Sequence, residues 1–266
     1  MAARQSTLAE PGVVVITGAG GGIGAALANA YASEGVVLGL VGRNEEKLRR
    51  VAEACRARGA AAEILIADVT TPEIEMVLAD FDARHPIDLL IANAGVTSGV
   101  SAAGGMEPWD TALRAAETNF IGALRTIAPV AALMAGRGRG QIAGIGSLAA
   151  LAPLPFSPAY SASKAGLETY LLALRHLLAP KGVCLNVVTL GYVETDMSRR
   201  LSGPKPFLTT PADAAARIKA GLARNRARIA HPFVFAMGIR FLNILPERLV
   251  RLILPAFAFT ISREGG

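Results

Sequence analysis

Tyr160 and Lys164 are the residues of this chain whose types and spacing most directly suggest chemistry. A helix has about 3.6 residues per turn, so side chains four positions apart lie on one face. A phenol ordinarily keeps its proton to about pH 10, and a fixed cation beside it lowers that pKa. The pair is therefore expected to exchange a proton with a bound molecule. The same spacing also occurs on solvated helix faces, so the assignment depends on the rest of the chain.

A glycine-rich segment, residues 17–24, follows the first apolar run and precedes an alanine-rich stretch. The order of strand, glycine loop and helix is typical of a dinucleotide-binding turn, in which the helix N-terminus binds pyrophosphate. Gly18 would allow the tight turn, Gly22 the approach of the backbone to the anion, and Gly24 the close packing of helix on strand. A glycine turn without a ligand is the alternative.

Two polar residues bear on which dinucleotide would bind. The second apolar run ends in Gly42 and Arg43, where an acidic residue would hydrogen-bond the adenosine ribose of NAD. A guanidinium instead matches a 2′-phosphate in charge and geometry, so we expect NADP(H), with NAD(H) as the alternative. Asp68 ends the third run and is expected near the adenine amino group, or else as a capping or loop aspartate.

Short apolar runs alternate with amphipathic stretches through the first 190 residues. The predicted strands are Val13–Ile16, Val36–Val41, Ala61–Ile66, Leu89–Ala92, Gly140–Ile145 and Cys184–Thr189, with a seventh near Arg228–Phe235. The predicted helices are 22–34, 44–58, 72–84, 107–135 and 158–179, and a further helix begins at 209–213. Repeated strand-then-helix units indicate a parallel sheet covered by helices on both faces.

Composition narrows the class of protein further. With 266 residues, 52% apolar and 18% charged, the chain is expected to form one domain with a full core. Cys55 and Cys184 have neither disulfide-framework nor metal-site spacing, which favours a reducing, cytoplasmic location and no metal. The first twelve residues do not read as a secretory signal. The net charge is +6, but no stacking aromatics are interleaved with the arginines, so no nucleic-acid partner is expected.

Together these motifs resemble the short-chain dehydrogenase/reductase family of the classical type, over roughly residues 12–197. The motifs that carry the resemblance are residues 17–24, Asp68-Val69, Asn93-Ala94-Gly95, Asn119, Ser147, Tyr160-Ser161-Ala162-Ser163-Lys164 and Gly191–Thr195. The resemblance implies a single-domain α/β fold, a Rossmann-type doubly wound parallel sheet with helices on both faces. It also implies interconversion of a carbonyl and a secondary alcohol.

The resemblance assigns chemical roles to four residues. Ser147, thirteen residues before Tyr160, would hold the substrate carbonyl. Tyr160 would donate a proton to the carbonyl oxygen, and Lys164 would lower the pKa of Tyr160 and bind the nicotinamide ribose. Asn119 would hold a water that links Lys164 to solvent. A plain strand-end serine and an asparagine paired with a carbonyl are the respective alternatives for Ser147 and Asn119.

The resemblance also extends the expected cofactor contacts to the ends of later strands. The expected cofactor-binding residues are Gly18, Gly20, Gly22, Ile23, Gly24, Arg43, Asp68, Val69, Asn93, Ala94, Gly95, Tyr160, Lys164, Gly191, Val193 and Thr195. The chain departs from the family at Leu190-Gly191, where Pro-Gly is usual, and at Gly146, where a serine is frequent. The missing proline is expected to loosen the turn that shapes the nicotinamide site.

Residues 198–266 are the least ordinary part of the chain. Residues 198–209 are polar and contain prolines, as expected of a substrate lid, and apolar runs punctuated by arginines follow. Three interpretations stay open for this apolar, basic extension: a subunit interface or closure of the core, a lid over a hydrophobic channel, or peripheral attachment to the inner face of a membrane. No run in this extension reaches the length of a transmembrane helix.

We expect an NADP(H)-dependent ketoreductase acting on a small hydrophobic or lipid-like carbonyl or alcohol. By family analogy, helices 107–135 and 158–179 would build a homodimer or homotetramer. A cofactor-binding regulator without turnover, and an epimerase or dehydratase of the same fold, are the alternatives.

Overall fold

A computed structural model describes residues 10–100, 105–242, 245–246, 248–249 and 260–261. The strands are β1 Val13–Thr17, β2 Val37–Gly42, β3 Ala61–Ile66, β4 Leu89–Ala92, β5 Gly140–Ser147, β6 Val183–Leu190, β7 Leu201–Ser202, β8 Arg228–His231 and β9 Thr260–Ile261. Seven of them form a parallel sheet in the order β3-β2-β1-β4-β5-β6-β8. The predicted seven-stranded sheet is confirmed. The two short strands β7 and β9 pair separately and antiparallel.

Helices connect the strands of the sheet and cover both of its faces. They are α1 Gly22–Tyr31, α2 Glu45–Arg56, α3 Glu73–Arg84, α4 Trp109–Ala116, α5 Gly122–Arg137, α6 Pro158–Leu178, α7 Asp196–Arg199, α8 Pro211–Ala223 and α9 Phe233–Leu242. The predicted helix 107–135 is α4 and α5 joined by a π-helical turn, Glu117–Ile121. The predicted start at 209–213 is that of α8, where the Thr210 hydroxyl accepts from the Asp213 N–H at 3.1 Å.

The core lies in two layers because the strands are apolar on both faces. In β1, Val14 and Ile16 are fully buried against α1, where Leu27 joins the same cluster. Val15 points to the opposite face and packs in the cluster that contains Phe81 of α3. This double covering explains why the strands read as continuous apolar runs rather than alternating ones.

The predicted seventh strand is too long at its C-terminal end. β8 stops at His231, and the following apolar residues begin α9. Pro232 has no N–H with which to continue the ladder, whereas its carbonyl accepts the first helical bond, from the Ala236 N–H at 3.1 Å. The apolar run after Pro232 therefore belongs to a helix rather than to the sheet.

Among the described residues, the continuous helix Trp109–Arg137 has the length and apolar composition of a membrane span. Its second half, α5, packs on β4 and β5, and 44% of its most apolar window is buried inside the fold. These contacts are those of a core helix.

Candidate active site

A cavity of about 370 Å³ opens at the carboxyl ends of the parallel strands. It lies where the strand order reverses between β1 and β4, the position at which open α/β sheets bind their ligands. Its lining includes these residues expected from the sequence: Gly18, Gly22, Ile23, Asn93, Ala94, Gly95, Ser147, Tyr160, Lys164, Gly191, Val193 and Thr195. The other expected residues, Gly20, Gly24, Arg43, Asp68, Val69 and Asn119, lie around this lining rather than in it.

The glycine loop after β1 is held by close backbone contacts. Gly18 has φ +64°, a left-handed conformation that favours glycine. A Cβ on Gly24 would lie 2.2 Å from the Gly18 carbonyl oxygen, so α1 can approach the loop only with glycine at this position. The Asn93 amide donates to the carbonyls of Thr17 at 2.9 Å and Gly18 at 3.2 Å. Asn93 therefore fastens the loop to the end of β4.

Thr17 is a structural residue that the sequence did not single out. Its hydroxyl oxygen accepts from the backbone N–H groups of Asn93 and Ala94, each at 3.0 Å. These bonds join the ends of β1 and β4 beneath the cavity. The signal was present, because a threonine begins the glycine segment directly after the first strand.

Tyr160 and Ser147 both line the cavity, and the Ser147 side chain acts to lower the pKa of Tyr160. Ser147 is the last residue of β5, and its Oγ also accepts from the Ala149 N–H at 3.1 Å. Tyr160 lies in the first turn of α6, with Pro158 at the helix start, where proline fits best. Two hydroxyl groups from separate elements are thus presented together to a molecule in the cavity.

Lys164 lies one turn further along α6, on the face that contains Tyr160. Its Nζ donates to the Ile145 carbonyl at 2.8 Å and lies 5.9 Å from the centroid of the Tyr160 ring. Only 5% of the residue is exposed, and burial lowers the pKa of Lys164 to about 8. Gly95 makes room for it, because a Cβ there would lie 3.3 Å from Nζ. Tyr160 and Lys164 therefore lie close together on one face of α6, as their spacing predicted.

The expected lowering of the pKa of Tyr160 is wrong for this structure. Burial raises the pKa of Tyr160, the hydrogen bond with Ser147 opposes that rise, and the nearby Tyr192 adds to it. The Lys164 ammonium points to a backbone carbonyl instead of the phenol oxygen. Desolvation therefore outweighs the cation, and the phenol holds its proton more firmly than a free tyrosine.

Asn119 lies in the π-helical turn and is fully buried. Its Oδ1 accepts from the Val96 N–H at 2.8 Å, and its Nδ2 donates to the Val96 carbonyl at 2.9 Å and to the Ser163 hydroxyl at 3.1 Å. The side chain joins the loop after β4 to α6. It thereby sets the distance between this loop and Lys164, while its expected role in holding a water stays a prediction.

Arg43 and Asp68 form an ion pair at the far end of the glycine loop, with Nη1 and Oδ2 3.3 Å apart. Burial would raise the pKa of Asp68, but hydrogen bonds from Thr70 and the charge of Arg43 together lower it. Arg43 is 71% exposed at its side chain, which leaves its guanidinium accessible. Gly20 lies near α2, since a Cβ there would be 3.2 Å from the Lys47 Cβ. Two cationic residues therefore flank this end of the loop.

Thr195 lines the cavity, whereas Val69 packs behind it in the core. Val69 is buried and packs against the start of α5, where a Cβ on Gly122 would lie 2.8 Å from its Cγ2. Thr195 begins α7 with a reciprocal capping box to Ser198. Its methyl group lies 3.0 Å from the position of a Cβ on Gly22, so Thr195 closes directly over the glycine loop.

The turn that lacks the family's proline is held by another contact. The Gly191 N–H donates to the His231 carbonyl at 2.8 Å, and the imidazole Nε2 of His231 lies 3.1 Å from the Thr209 Oγ1. Val193 pairs with Thr209 in an isolated parallel bridge. These bonds restrain the segment that was expected to be loose.

The remaining wall of the cavity is apolar. It is contributed by the turn after β5, by α7 and β7, and by α9, through Leu148, Ala149, Ala152, Leu154, Met197, Leu201, Phe235 and Ile239. The sequence did not identify Phe235 and Ile239 as lining residues. Their spacing of four positions indicates a helical face, but the segment around Phe235 had been assigned to a strand.

The burial of Lys164 predicts a pH-dependent effect on stability. Its pKa in the folded chain, about 8, lies below the ordinary value of 10.5. Between these values the unfolded chain binds more protons than the native one, so this residue's destabilising contribution fades as pH rises. We expect the unfolding free energy of Lys164→Met minus that of wild type to fall between pH 8 and pH 10.5. Urea titrations at several pH values measure this difference. The exposed Lys181→Met should show no such trend, and a constant difference for Lys164→Met would contradict the assignment.

Comparisons with known proteins agree with this geometry. The family model for short chain dehydrogenase matches residues 12–205. An "Uncharacterized oxidoreductase" of Myxococcus xanthus is 33% identical over 88% of this chain and 93% of its own length. The ketoacyl reductase HetN of Nostoc sp. is 35% identical over 76% of this chain and 72% of its own. The chain belongs to the short-chain dehydrogenase family.

Solved structures share the fold and differ in the cofactor they contain. A short-chain dehydrogenase from Sphingobium yanoikuyae in complex with NADPH has a TM-score of 0.75 at 27% identity, covering 96% of this chain and 98% of its own. A family member from Burkholderia phymatum in complex with NAD has a TM-score of 0.77 at 25% identity, covering 87% and 92%. The chain is thus a carbonyl/alcohol oxidoreductase that uses a nicotinamide cofactor and a small-molecule substrate.

Proposed function

We propose that the chain is an NADP(H)-dependent ketoreductase whose substrate is a hydrophobic ketone. The observation that carries this proposal is that the hydroxyl-bearing side chains of Tyr160 and Ser147 line the cavity beside its apolar wall. The relatives include ketoacyl reductases, which supports a carbonyl compound as the substrate.

The residues around the cleft fit a nicotinamide dinucleotide. Gly22 has φ +53° and faces Thr195, and Gly95 faces Lys164, so backbone is exposed where side chains would fill the cradle. The N-terminus of α1 directs its free N–H groups towards the loop, where they suit a pyrophosphate. Lys164, which lines the cavity, would bind the nicotinamide ribose. When bound, the reduced cofactor supplies a hydride for the carbonyl carbon.

The side chains of the chain itself supply the proton and hold the oxygen. Tyr160 donates its phenolic proton to the carbonyl oxygen, and the Ser147 hydroxyl donates a hydrogen bond to the same oxygen. Lys164 provides a fixed positive charge beside the phenolate that results. Asn119 and Gly95 hold the loop after β4 close to Lys164, and so fix the position of its ammonium group near Tyr160.

The raised pKa of Tyr160 favours the reductive direction near neutral pH. A phenol that retains its proton is ready to act as an acid, whereas oxidation of an alcohol needs the phenolate as a base. We infer that reduction proceeds over the whole neutral range and that alcohol oxidation increases with pH.

The preference for NADP(H) rests on the end of β2. Arg43 is exposed and occupies the position at which an acidic residue would select NAD. The Cβ of Lys47 lies close to Gly20, on the same side of the glycine loop. A 2′-phosphate would meet two cations there. Asp68 orients Arg43 through their ion pair without burying it.

Arg43→Ala is expected to raise the Kd for NADPH about 10- to 100-fold and the Kd for NADH less than about twofold. The reason is that a charge-assisted hydrogen bond is worth about 1.5–3 kcal/mol, and only NADPH has the phosphate that forms it. Fluorescence titration of each reduced cofactor measures both values. Arg50→Ala is the matched control, because Arg50 is an exposed arginine of α2 paired with Glu46. An equal rise in Kd for NADPH and NADH would contradict the proposal that Arg43 binds the 2′-phosphate.

The apolar wall supports a hydrophobic substrate. Ketones of increasing chain length should show rising kcat/KM, because each buried CH₂ contributes about 0.8 kcal/mol. Turnover of a ketone series with NADPH tests this directly. If kcat/KM does not change with chain length, the chain could still be a ketoreductase, but the proposal of a hydrophobic substrate would be wrong.

The cytoplasmic location and the homo-oligomer stay predictions. For the oligomer we propose contact through α5 and α6, whose C-terminal ends form an open groove lined by small residues. Leu133 and Leu177 add exposed apolar area on these two helices.

A further inference from the structure

The outer face of α9 is apolar and exposed. Phe233, Val234, Met237 and Phe241 are 64%, 79%, 48% and 61% exposed. Their spacing places them on one side of the helix. The other side of the same helix lines the cavity through Phe235 and Ile239, so only one helix separates the substrate cavity from this exposed surface.

The segment before α8 adds two exposed apolar side chains close to this helix. Phe207 and Leu208 are 62% and 49% exposed, and the ring of Phe207 lies 5.8 Å from the ring of Phe235. We call the six exposed side chains the α9 apolar face; they are Phe207, Leu208, Phe233, Val234, Met237 and Phe241. A group of large exposed apolar side chains on one helix face and on the segment near that helix is typical of an interaction site.

Positive charge is concentrated in the part of the chain that carries this face. Residues 196–266 contain 12 lysines and arginines against 4 aspartates and glutamates, a net charge of +8, whereas the whole chain is +6. The preceding residues are therefore net acidic. Arg224, Arg226 and Arg248 are exposed within this part. An apolar surface in a part of the chain with a net positive charge is complementary to an anionic bilayer, which offers acyl chains and acidic headgroups together.

We propose that the α9 apolar face docks on an anionic lipid bilayer, and that the cavity receives its lipophilic substrate from that bilayer. The second clause rests on the proposed hydrophobic substrate; the first does not. Side chains on the outer side of α9 enter the interface, while Phe235 and Ile239 on the inner side remain in the cavity wall. Movement of a substrate past Phe207 and Phe235 then avoids transfer through water.

Vesicle co-sedimentation tests the docking. The full chain is mixed with phosphatidylcholine vesicles that contain or lack phosphatidylglycerol, and the triple variant Phe233→Ser, Val234→Ser, Phe241→Ser is compared with wild type. The matched control is Met76→Ser, which removes a side chain that is 65% exposed on α3. We expect wild type and control to bind the anionic vesicles, with weakening at high salt, and the triple variant to bind at least about tenfold less.

Three outcomes would overturn the proposal. Wild type failing to bind anionic vesicles is the first, and the triple variant binding as well as wild type is the second. The third is a wild-type oligomer that the triple variant turns into a monomer in light scattering, because a second copy of the chain would then cover the α9 apolar face.

A labelled variant keeps the test independent of any loss of folding in the triple variant. Cys55 and Cys184 are 0% and 2% exposed, so Val234→Cys carries the one readily accessible thiol among the described residues. A polarity-sensitive fluorophore on that thiol should shift its emission to the blue with anionic vesicles. An unchanged spectrum would contradict insertion of this face.

Turnover separates this proposal from the proposed function. The triple variant should reduce a water-soluble ketone at the wild-type rate and a vesicle-dissolved ketone at least about tenfold more slowly, because only the second substrate needs the docked state. If wild type binds vesicles but reduces neither ketone, the proposed function fails and the docking stands. Equal slowing of both ketones would show that the variant damages the cavity, and would overturn the loading role.

Discussion

Tyr160→Phe is expected to lower kcat for ketone reduction by about 10²–10⁴-fold, the range that general acid catalysis contributes. The substitution removes one oxygen from a side chain that stays packed in the first turn of α6. The affinity for NADPH should change much less than kcat, because the other expected cofactor-binding residues, among them Lys164 and the glycine loop, are untouched. Stopped-flow measurement of NADPH oxidation at saturating ketone gives the rate, and fluorescence titration gives the affinity.

Tyr170→Phe is the matched control for this prediction. Tyr170 lies on the same helix and does not line the cavity. It should retain wild-type turnover. Turnover by Tyr160→Phe at the wild-type rate would show that another group provides the proton.

Ser147→Ala extends the same test, because we propose that Ser147 and Tyr160 bind the same carbonyl oxygen. Residues that act as a unit give losses that do not add. The double variant Ser147→Ala, Tyr160→Phe should therefore have a kcat only slightly lower than that of Tyr160→Phe alone.

Gly24→Ala is expected to weaken NADPH binding about 10- to 100-fold, the effect of losing a hydrogen bond to a charged phosphate, which is worth about 1.5–3 kcal/mol. The added Cβ would lie 2.2 Å from the Gly18 oxygen and 2.8 Å from the Asn93 Nδ2. Both are fixed, one by the turn and the other by its bonds to β1. The glycine loop must then move away from α1, and with it the pyrophosphate cradle. Overpacking should also cost about 1–3 kcal/mol of stability.

Gly136→Ala is the matched control, because a Cβ on this residue of α5 meets nothing within 4 Å. It should bind NADPH normally and be slightly more stable, by about 0.5–1 kcal/mol, since alanine favours helix over glycine. Cofactor titration and urea unfolding measure both variants. Normal NADPH binding by Gly24→Ala would contradict the assignment of the glycine loop as the cradle.

The sheet was predictable because its signals are local. Ala61–Ile66 and Leu89–Ala92 are mostly apolar runs, followed by Asp68 and Asn93 within two residues, and the structure gives β3 and β4 the same bounds. The end of β8 was not predictable from composition, since Phe233 and the residues after it suit a strand as well as a helix. Pro232 decided between them by ending the ladder.

The sequence predicted most residues of the site, but it did not predict the direction of the pKa shift of Tyr160. Helical spacing placed Tyr160 and Lys164 on one face, and their strand and loop contexts placed Ser147 and Asn93 near them. The sign of the pKa shift of Tyr160 depends on how deeply α6 is buried and on where Nζ finds its acceptor. Both are tertiary properties. The cavity wall from α9 is likewise formed by residues distant in sequence from the rest of the site.

The crystal structure of a complex with NADP⁺ and a hydrophobic ketone tests the central claim most directly. We expect the ketone oxygen within hydrogen-bonding distance, about 2.5–3.0 Å, of both the Tyr160 Oη and the Ser147 Oγ, with the carbon chain against Phe235 and Ile239. A ketone bound in the cleft with its oxygen turned away from both hydroxyl groups would contradict the account.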